Sequence, residues 1–295
     1  MKLKFIKPFV ILSAIFVIAQ SQAQAQEEIT INRNGVHLKG RFYISEGPGF
    51  LPTVILLQGF PGSEQDVLGI GRKLSEAGYN ALTFNYSGTY HSEGEFNWSN
   101  SQKDIEAAFN LIYTQENITK YKIDTSRIIL GGYSFGGGMA LTCAADHPEI
   151  KEIFSIAGND HGAAIREYEQ NPERKIMLDN IFEELKSSTE TVRFGPGGTP
   201  GEVAEMKIIE SNPTFDLIYC APLLAPKKIL LIGGWDDQNV TIENRVLPLY
   251  RALINAKADK VRITALQDDH TFRNSREELA RIIIDWIKFA DQDEK

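Results

Sequence analysis

The sequence predicts an α/β fold, a mostly parallel twisted sheet with helices on both faces. Three observations carry that expectation. Short, continuously apolar runs recur along the chain, each ending in glycine or a polar residue. Between them lie stretches whose apolar residues fall at helical spacing. The composition is that of a globular chain, 42% hydrophobic and 24% charged over 295 residues, which excludes collagen, extended disorder and a disulfide-stapled miniprotein. Strands that are apolar on both faces belong to parallel sheets covered by helices, whereas one-faced antiparallel strands alternate.

In chain order, the first 25 residues read as an export signal. Lys2, Lys4 and Lys7 give a positive start, residues 8–19 are almost wholly apolar, and Ala23-Gln24-Ala25 offers small residues for cleavage. That apolar stretch is shorter than the roughly 18–20 residues needed to span a bilayer. The expectation is an exported protein, periplasmic or extracellular, with no stable membrane insertion after cleavage and a domain over residues 26–295. The formal net charge of −8 and the lack of any Lys/Arg run argue against a nucleic acid partner.

EEITI and VHLKGRFYI then alternate apolar and polar residues around Asn34-Gly35, a hairpin signal. TVILLQ (53–58), NALTFN (80–85), RIILGG (127–132), KEIFSIAG (151–158), KKILLIGG (227–234) and KVRITALQ (260–267) read as strands. Residues 66–77, 101–113 and 275–289 read as helices. Between 160 and 221 about sixty residues separate two core strands, far more than a usual connection. IREYEQNPERKIMLDNIFEELKSS reads helical, FGPGGTPGE as a flexible loop and VAEMKII as a further helix. An insertion here would overlie the C-terminal edge of the sheet, where open α/β folds bind ligands. The expectation is a helical lid, with residues 195–201 affecting substrate choice more than stability.

Gly132-Tyr133-Ser134-Phe135-Gly136 matches G-x-S-x-G, directly after a predicted strand and leading into a predicted helix. That context makes it a nucleophile elbow, with Ser134 exposed at a strained turn. A serine hydroxyl needs a base. Of five histidines, His270 follows the last predicted strand and returns to the same sheet edge. His37 lies in the hairpin, His147 reads as a helix C-terminal cap, and His91 and His161 read as pocket lining. The imidazole needs an acid to hold its tautomer. Asp236 and Asp237 follow KKILLIGG, and the pattern Gly234-x-x-Asp237-x-x-Val240 favours Asp237. The backbone N–H groups of Phe60 and Phe135 are the expected oxyanion donors. Tyr86, Tyr133, His161 and Trp235 are candidates for a substrate pocket. Cys143 and Cys220 read as buried apolar residues, and no histidine falls at metal-ligand spacing, so neither a metal nor another cofactor is expected.

Over essentially its whole mature length the chain resembles the α/β-hydrolase superfamily, among serine esterases and prolyl-oligopeptidase-like or dienelactone-hydrolase-like hydrolases. LLQGFPG is similar to the family's HGxPG oxyanion loop, GGYSFGG to its elbow, GGWDDQNV to its acid loop and DDHTF to its histidine loop. FNYSGTYHSEGEF is similar to the YRGxGxSxG loop. Gln58 stands where His is usual and Ser87 where Arg is usual, both outside the triad. The order Ser134, Asp237, His270 is that of these hydrolases. The resemblance implies an α/β-hydrolase fold and a secreted serine hydrolase acting on a small-molecule ester. An exopeptidase remains open, with Glu167, Glu169 and Glu173 as a clamp for a free amine. So do an acyltransferase using the same triad and, least favoured, a non-catalytic binding protein. The sequence leaves the oligomeric state open.

Overall fold

The computed structural model describes residues 25–63 and 66–293. Residues 1–24 of the expected export signal lie outside the described residues. Eight strands form one sheet in the order β1-β2-β4-β3-β5-β6-β7-β8. β1 (Gln26–Arg33) and β2 (Val36–Tyr43) are the expected hairpin, closed by Asn34 and Gly35, both at positive φ as a tight two-residue turn requires. β2 also pairs antiparallel with β4, and the remaining pairs are parallel.

β3 (Leu51–Leu57) leads through α1 (Ile70–Glu76) to β4 (Asn80–Phe84) on one side. The chain then returns by α2 (Trp98–Ile112) and α3 (Gln115–Tyr121) to β5 (Ile123–Tyr133) on the other side of β3. That reversal opens a crevice beyond the C-terminal ends of β3 and β5. α4 (Phe135–Asp146) carries the chain to β6 (Glu152–Ile156). The long excursion follows as α5 (His161–Gln170), α6 (Pro172–Lys186), α7 (Pro200–Glu205), α8 (Ile208–Ser211) and α9 (Leu217–Leu224). β7 (Lys228–Gly234), a π-helical turn (Ile242–Val246), α10 (Leu247–Asn255), β8 (Val261–Leu266) and α11 (Arg276–Asp293) complete the fold.

Two apolar cores sandwich the sheet. On one face Ile105, Ile112, Met139, Leu217, Leu224 and Leu253 pack against Ile55, Leu57, Leu130 and Leu231. On the other, Ile70 and Leu74 of α1 and Leu279, Ile283 and Trp286 of α11 cover Val54, Leu56, Ile129 and Leu230. Each such side chain contributes about 1.5–3 kcal/mol on burial, so both faces fix the strand ends from which the functional loops spring. Cys143 and Cys220 are buried and unpaired. Among the described residues no helix is long and apolar enough to cross a membrane.

Candidate active site

Ser134 is the one residue between the end of β5 and the start of α4, at φ 54° and ψ −118°. A side chain in that region costs about 1–3 kcal/mol, so its surroundings must hold it there. Its N–H donates to the Ile156 carbonyl at 2.8 Å, and its carbonyl accepts from Gly138 and Asn159, each at 3.1 Å. The flanking glycines answer to space. A Cβ on Gly132 would lie 2.2 Å from the Gly136 oxygen, and one on Gly136 would lie 2.4 Å from the Gln58 oxygen.

His270 Nε2 lies 3.0 Å from Ser134 Oγ, and His270 Nδ1 lies 2.7 Å from Asp237 Oδ2. The other Asp237 oxygen accepts the Asn239 and Val240 N–H groups at 2.8 and 2.9 Å, which turns Oδ2 toward the imidazole. Asp236 instead accepts from Gln267 at 2.8 Å. Tyr133 Oη donates to the His270 carbonyl at 2.8 Å, holding the histidine loop against the elbow. Burial, with the Asp237 charge adding to it, raises that phenol above the ordinary tyrosine range. Asp268 ties the same loop to α11 by accepting from Asn274 N–H at 2.9 Å and Ser275 Oγ at 2.7 Å.

Phe60 follows Gly59, whose backbone packs against Tyr133 and Ser134. Gln58 fixes this loop from within, donating Nε2 to the Ser63 carbonyl at 3.1 Å while its own carbonyl accepts from Tyr86 Oη at 3.3 Å. Among the described residues the N–H groups of Phe60 and Phe135 bond to no backbone acceptor. Where the related loop usually carries Arg, Ser87 donates to the buried Asp104 at 2.6 Å, and Arg33 of β1 pairs with that carboxylate from outside the loop.

Ser134 and His270 open into a cavity of about 350 Å³. Of the four expected pocket residues only Tyr133 lines it. Tyr86 is 1% exposed, packed edge-on against Phe135 at 5.4 Å. His161 is fully buried among Trp98, Phe135 and Phe215, and burial pushes its imidazole down to about 3, so it stays neutral. Trp235 is 55% exposed on the surface. These three aromatic positions are corrected to core, core and surface. His91 lines a separate cavity of about 680 Å³ with Glu28, Lys39 and Arg41.

Sequence reasoning missed several cavity residues. Asp66, Val67 and Leu68 line it because helix α1 begins at Ile70 and not at 66. Asp66 accepts the Gly71 and Arg72 N–H groups, both at 2.8 Å, and an aspartate ahead of an apolar run is a readable helix-start signal. Arg276, the first residue of α11, also lines the cavity.

In the excursion, α6 buries none of its residues, yet it is anchored to α5, where Tyr168 donates to Asp179 at 2.6 Å, and to the loops around the site. Phe182 stacks on Phe60 with ring centroids 5.6 Å apart, and Arg174 donates to the Asn239 carbonyl at 3.3 Å. Glu167 of α5 pairs with Arg245, which removes it from the suggested amine clamp. FGPGGTPGE is not a loose loop. Gly195 N–H donates to the Phe96 carbonyl at 3.0 Å, Phe96 and Phe194 form a bridge, and Gly195, Gly197 and Gly198 are buried. The glycines allow close packing here and not flexibility.

Glu106, Cys143 and His147 bring possible metal-ligand atoms within 4.8 Å of one another. His147 is already held on both ring nitrogens, by Glu106 and Glu149, each at 2.7 Å. That pairing raises it to about 9, Glu106 contributing most, and a protonated imidazolium accounts for the cluster.

A family model described as the alpha/beta hydrolase fold matches residues 52–186. Est1E from Butyrivibrio proteoclasticus superposes with a TM-score of 0.64 at 15% identity, over 91% of this chain and 99% of that one. The chain has the α/β-hydrolase fold. Among curated proteins, an uncharacterized 31.7 kDa Escherichia coli protein of the traX-finO intergenic region is 32% identical over 155 residues, 50% of this chain and 52% of that protein. Cutinase 1 of Thermobifida cellulosilytica is 24% identical over 118 residues, 40% of this chain and 43% of the cutinase. The chain thus spans about half the length of the curated relatives it matches. Ser134, Asp237 and His270 follow the C-terminal ends of β5, β7 and β8, the chain order expected of a Ser-Asp-His site on this fold.

Proposed function

We propose that this α/β-hydrolase is an exported serine hydrolase that cleaves carboxylic esters through an acyl-enzyme. The observation that carries the reading is the continuous hydrogen-bonded chain from Ser134 Oγ through His270 to Asp237. His270 Nε2 takes the hydroxyl proton as Ser134 Oγ attacks the acyl carbon, and the imidazolium so formed lies against the Asp237 carboxylate. The Phe60 and Phe135 amides receive the developing oxyanion; loss of one such donor typically costs about 100- to 1000-fold in rate. The imidazolium returns its proton to the leaving alkoxide. Water, deprotonated by His270, then releases the acid. The α5–α6 segment acts as the cover of this site, resting on Phe60 through Phe182. Cutinases among the sequence relatives support esters over peptides.

Turnover of 4-nitrophenyl esters from acetyl to long acyl chains, beside Ser134→Ala, tests the reading. A short-chain optimum that disappears in the variant supports it. No ester turnover by folded protein, or a substantial residual rate in the variant, overturns it.

A further inference from the structure

We infer that Arg276 is an anion-recognition residue of the Ser134 cavity, and that the esters this chain takes carry a carboxylate near the scissile carbonyl. The inference rests on the reading of Ser134 as the nucleophile and adds the substrate class. Arg276 lines the same cavity of about 350 Å³ as Ser134, His270 and Tyr133, and its positive charge is felt at the Tyr133 phenol. Arg33, Arg127, Arg166 and Arg245 each pair with a carboxylate. Arg276 is exposed at the cavity wall and, like Arg193, Arg262 and Arg273, has no such partner among the described residues, in a chain whose formal net charge is −8. Asp66, in the same wall, makes no ion pair with it; its two oxygens are turned to the Gly71 and Arg72 N–H groups at the start of α1.

The position itself is unfavourable for a cation. Arg276 opens α11, where the helix dipole and the unbonded amides favour negative charge, as at the following Glu277 and Glu278. The helix dipole disfavours an unpaired guanidinium at this end. Arg276 lines the cavity, and a guanidinium is a planar fork of donors, which suits a carboxylate. Held there, the carboxylate of a compact diacid half-ester, or of an ester of a hydroxybenzoate, leaves the ester group at Ser134 Oγ. Such recognition is realised on binding and so appears in KM.

The test compares matched pairs on the full chain: mono-4-nitrophenyl succinate against 4-nitrophenyl butyrate, and 4-acetoxybenzoate against phenyl acetate. In Arg276→Gln the anionic-to-neutral ratio of kcat/KM should fall about fivefold in at least one pair, as expected of a partly exposed charged contact. Arg276→Lys should restore part of it and Arg276→Glu should lower it further. Raising ionic strength from about 20 to 500 mM should erode the wild-type preference, because screening acts on the charged contact. Ratios unchanged within twofold, while the esters are still turned over, overturn the role of Arg276 and leave the hydrolase reading intact. Absence of all turnover overturns the hydrolase reading, and calorimetric binding of mono-4-nitrophenyl succinate to Ser134→Ala then decides the anion site. Binding that Arg276→Gln abolishes supports it, and binding that it leaves unchanged, or none, overturns it.

Discussion

Asp237 Oδ2 lies 2.7 Å from His270 Nδ1, whereas its neighbour Asp236 bonds Gln267. Only one of these two adjacent carboxylates can orient the imidazole. The backbone decides which, because Asn239 and Val240 amides occupy the far oxygen of Asp237. Asp237→Asn should therefore lower kcat for a 4-nitrophenyl ester about 1,000-fold or more, since an amide favours the wrong tautomer. Asp236→Asn should stay within about threefold, the loss of one exposed hydrogen bond. The opposite ranking in steady-state kinetics would reassign the acid.

Much of this site was legible in the sequence because its chemistry dictates residue types at the ends of strands. RIIL before Gly132, KKILL before Asp237 and VRITAL before His270 are apolar runs whose C-terminal ends must share one edge of a parallel sheet. The aromatic positions were not legible. Tyr86 and Trp235 sit beside motif residues, but which way each ring turns depends on partners distant in the chain, such as Phe135 for Tyr86. The same holds for the Thr89–Val192 bridge, which joins segments about a hundred residues apart and leaves no local periodicity to read.

A second such bridge, Phe96–Phe194, lies beside the glycine-rich stretch and packs it against backbone. A Cβ on Gly198 would lie 2.7 Å from the Phe96 carbonyl oxygen and 2.8 Å from that of Gly195. Backbone cannot yield as a side chain can, so Gly198→Ala should destabilise by about 1–3 kcal/mol. For a domain of this size each kcal/mol lowers Tm by roughly 2–4 °C. A thermal melt showing no change would restore the flexible-loop expectation for residues 195–201.

His147 should make stability fall at alkaline pH. Its folded value is raised to about 9 from 6.5, with Glu106 the main cause and Glu149 also contributing. A histidine raised on folding contributes fully below the unfolded value, and that contribution is lost as pH rises through the folded one. After allowance for solvent screening the loss from about pH 6.5 to pH 10 is about 1–2 kcal/mol. Urea unfolding at the two pH values should show this difference in the wild type and a smaller one in His147→Gln. Equal slopes in both proteins would place the alkaline loss elsewhere.

Phe182 is where the exposed helix α6 meets the Phe60 loop, its ring 5.6 Å from Phe60 and 5.8 Å from Phe194. Ile176, Met177 and Ile181 on the same helix are apolar yet exposed at 62%, 38% and 45%, so few other apolar contacts hold α6 down. Removing the ring should loosen the helix from the site without disturbing the two cores, which it does not enter. Low local stability of this kind is what a segment that moves during binding requires. Phe182→Ala should therefore raise kcat/KM for octanoyl relative to acetyl esters several-fold, with Tm lowered by only a few degrees. A large fall in Tm with an unchanged chain-length profile would show that Phe182 supports the fold and does not cover the site.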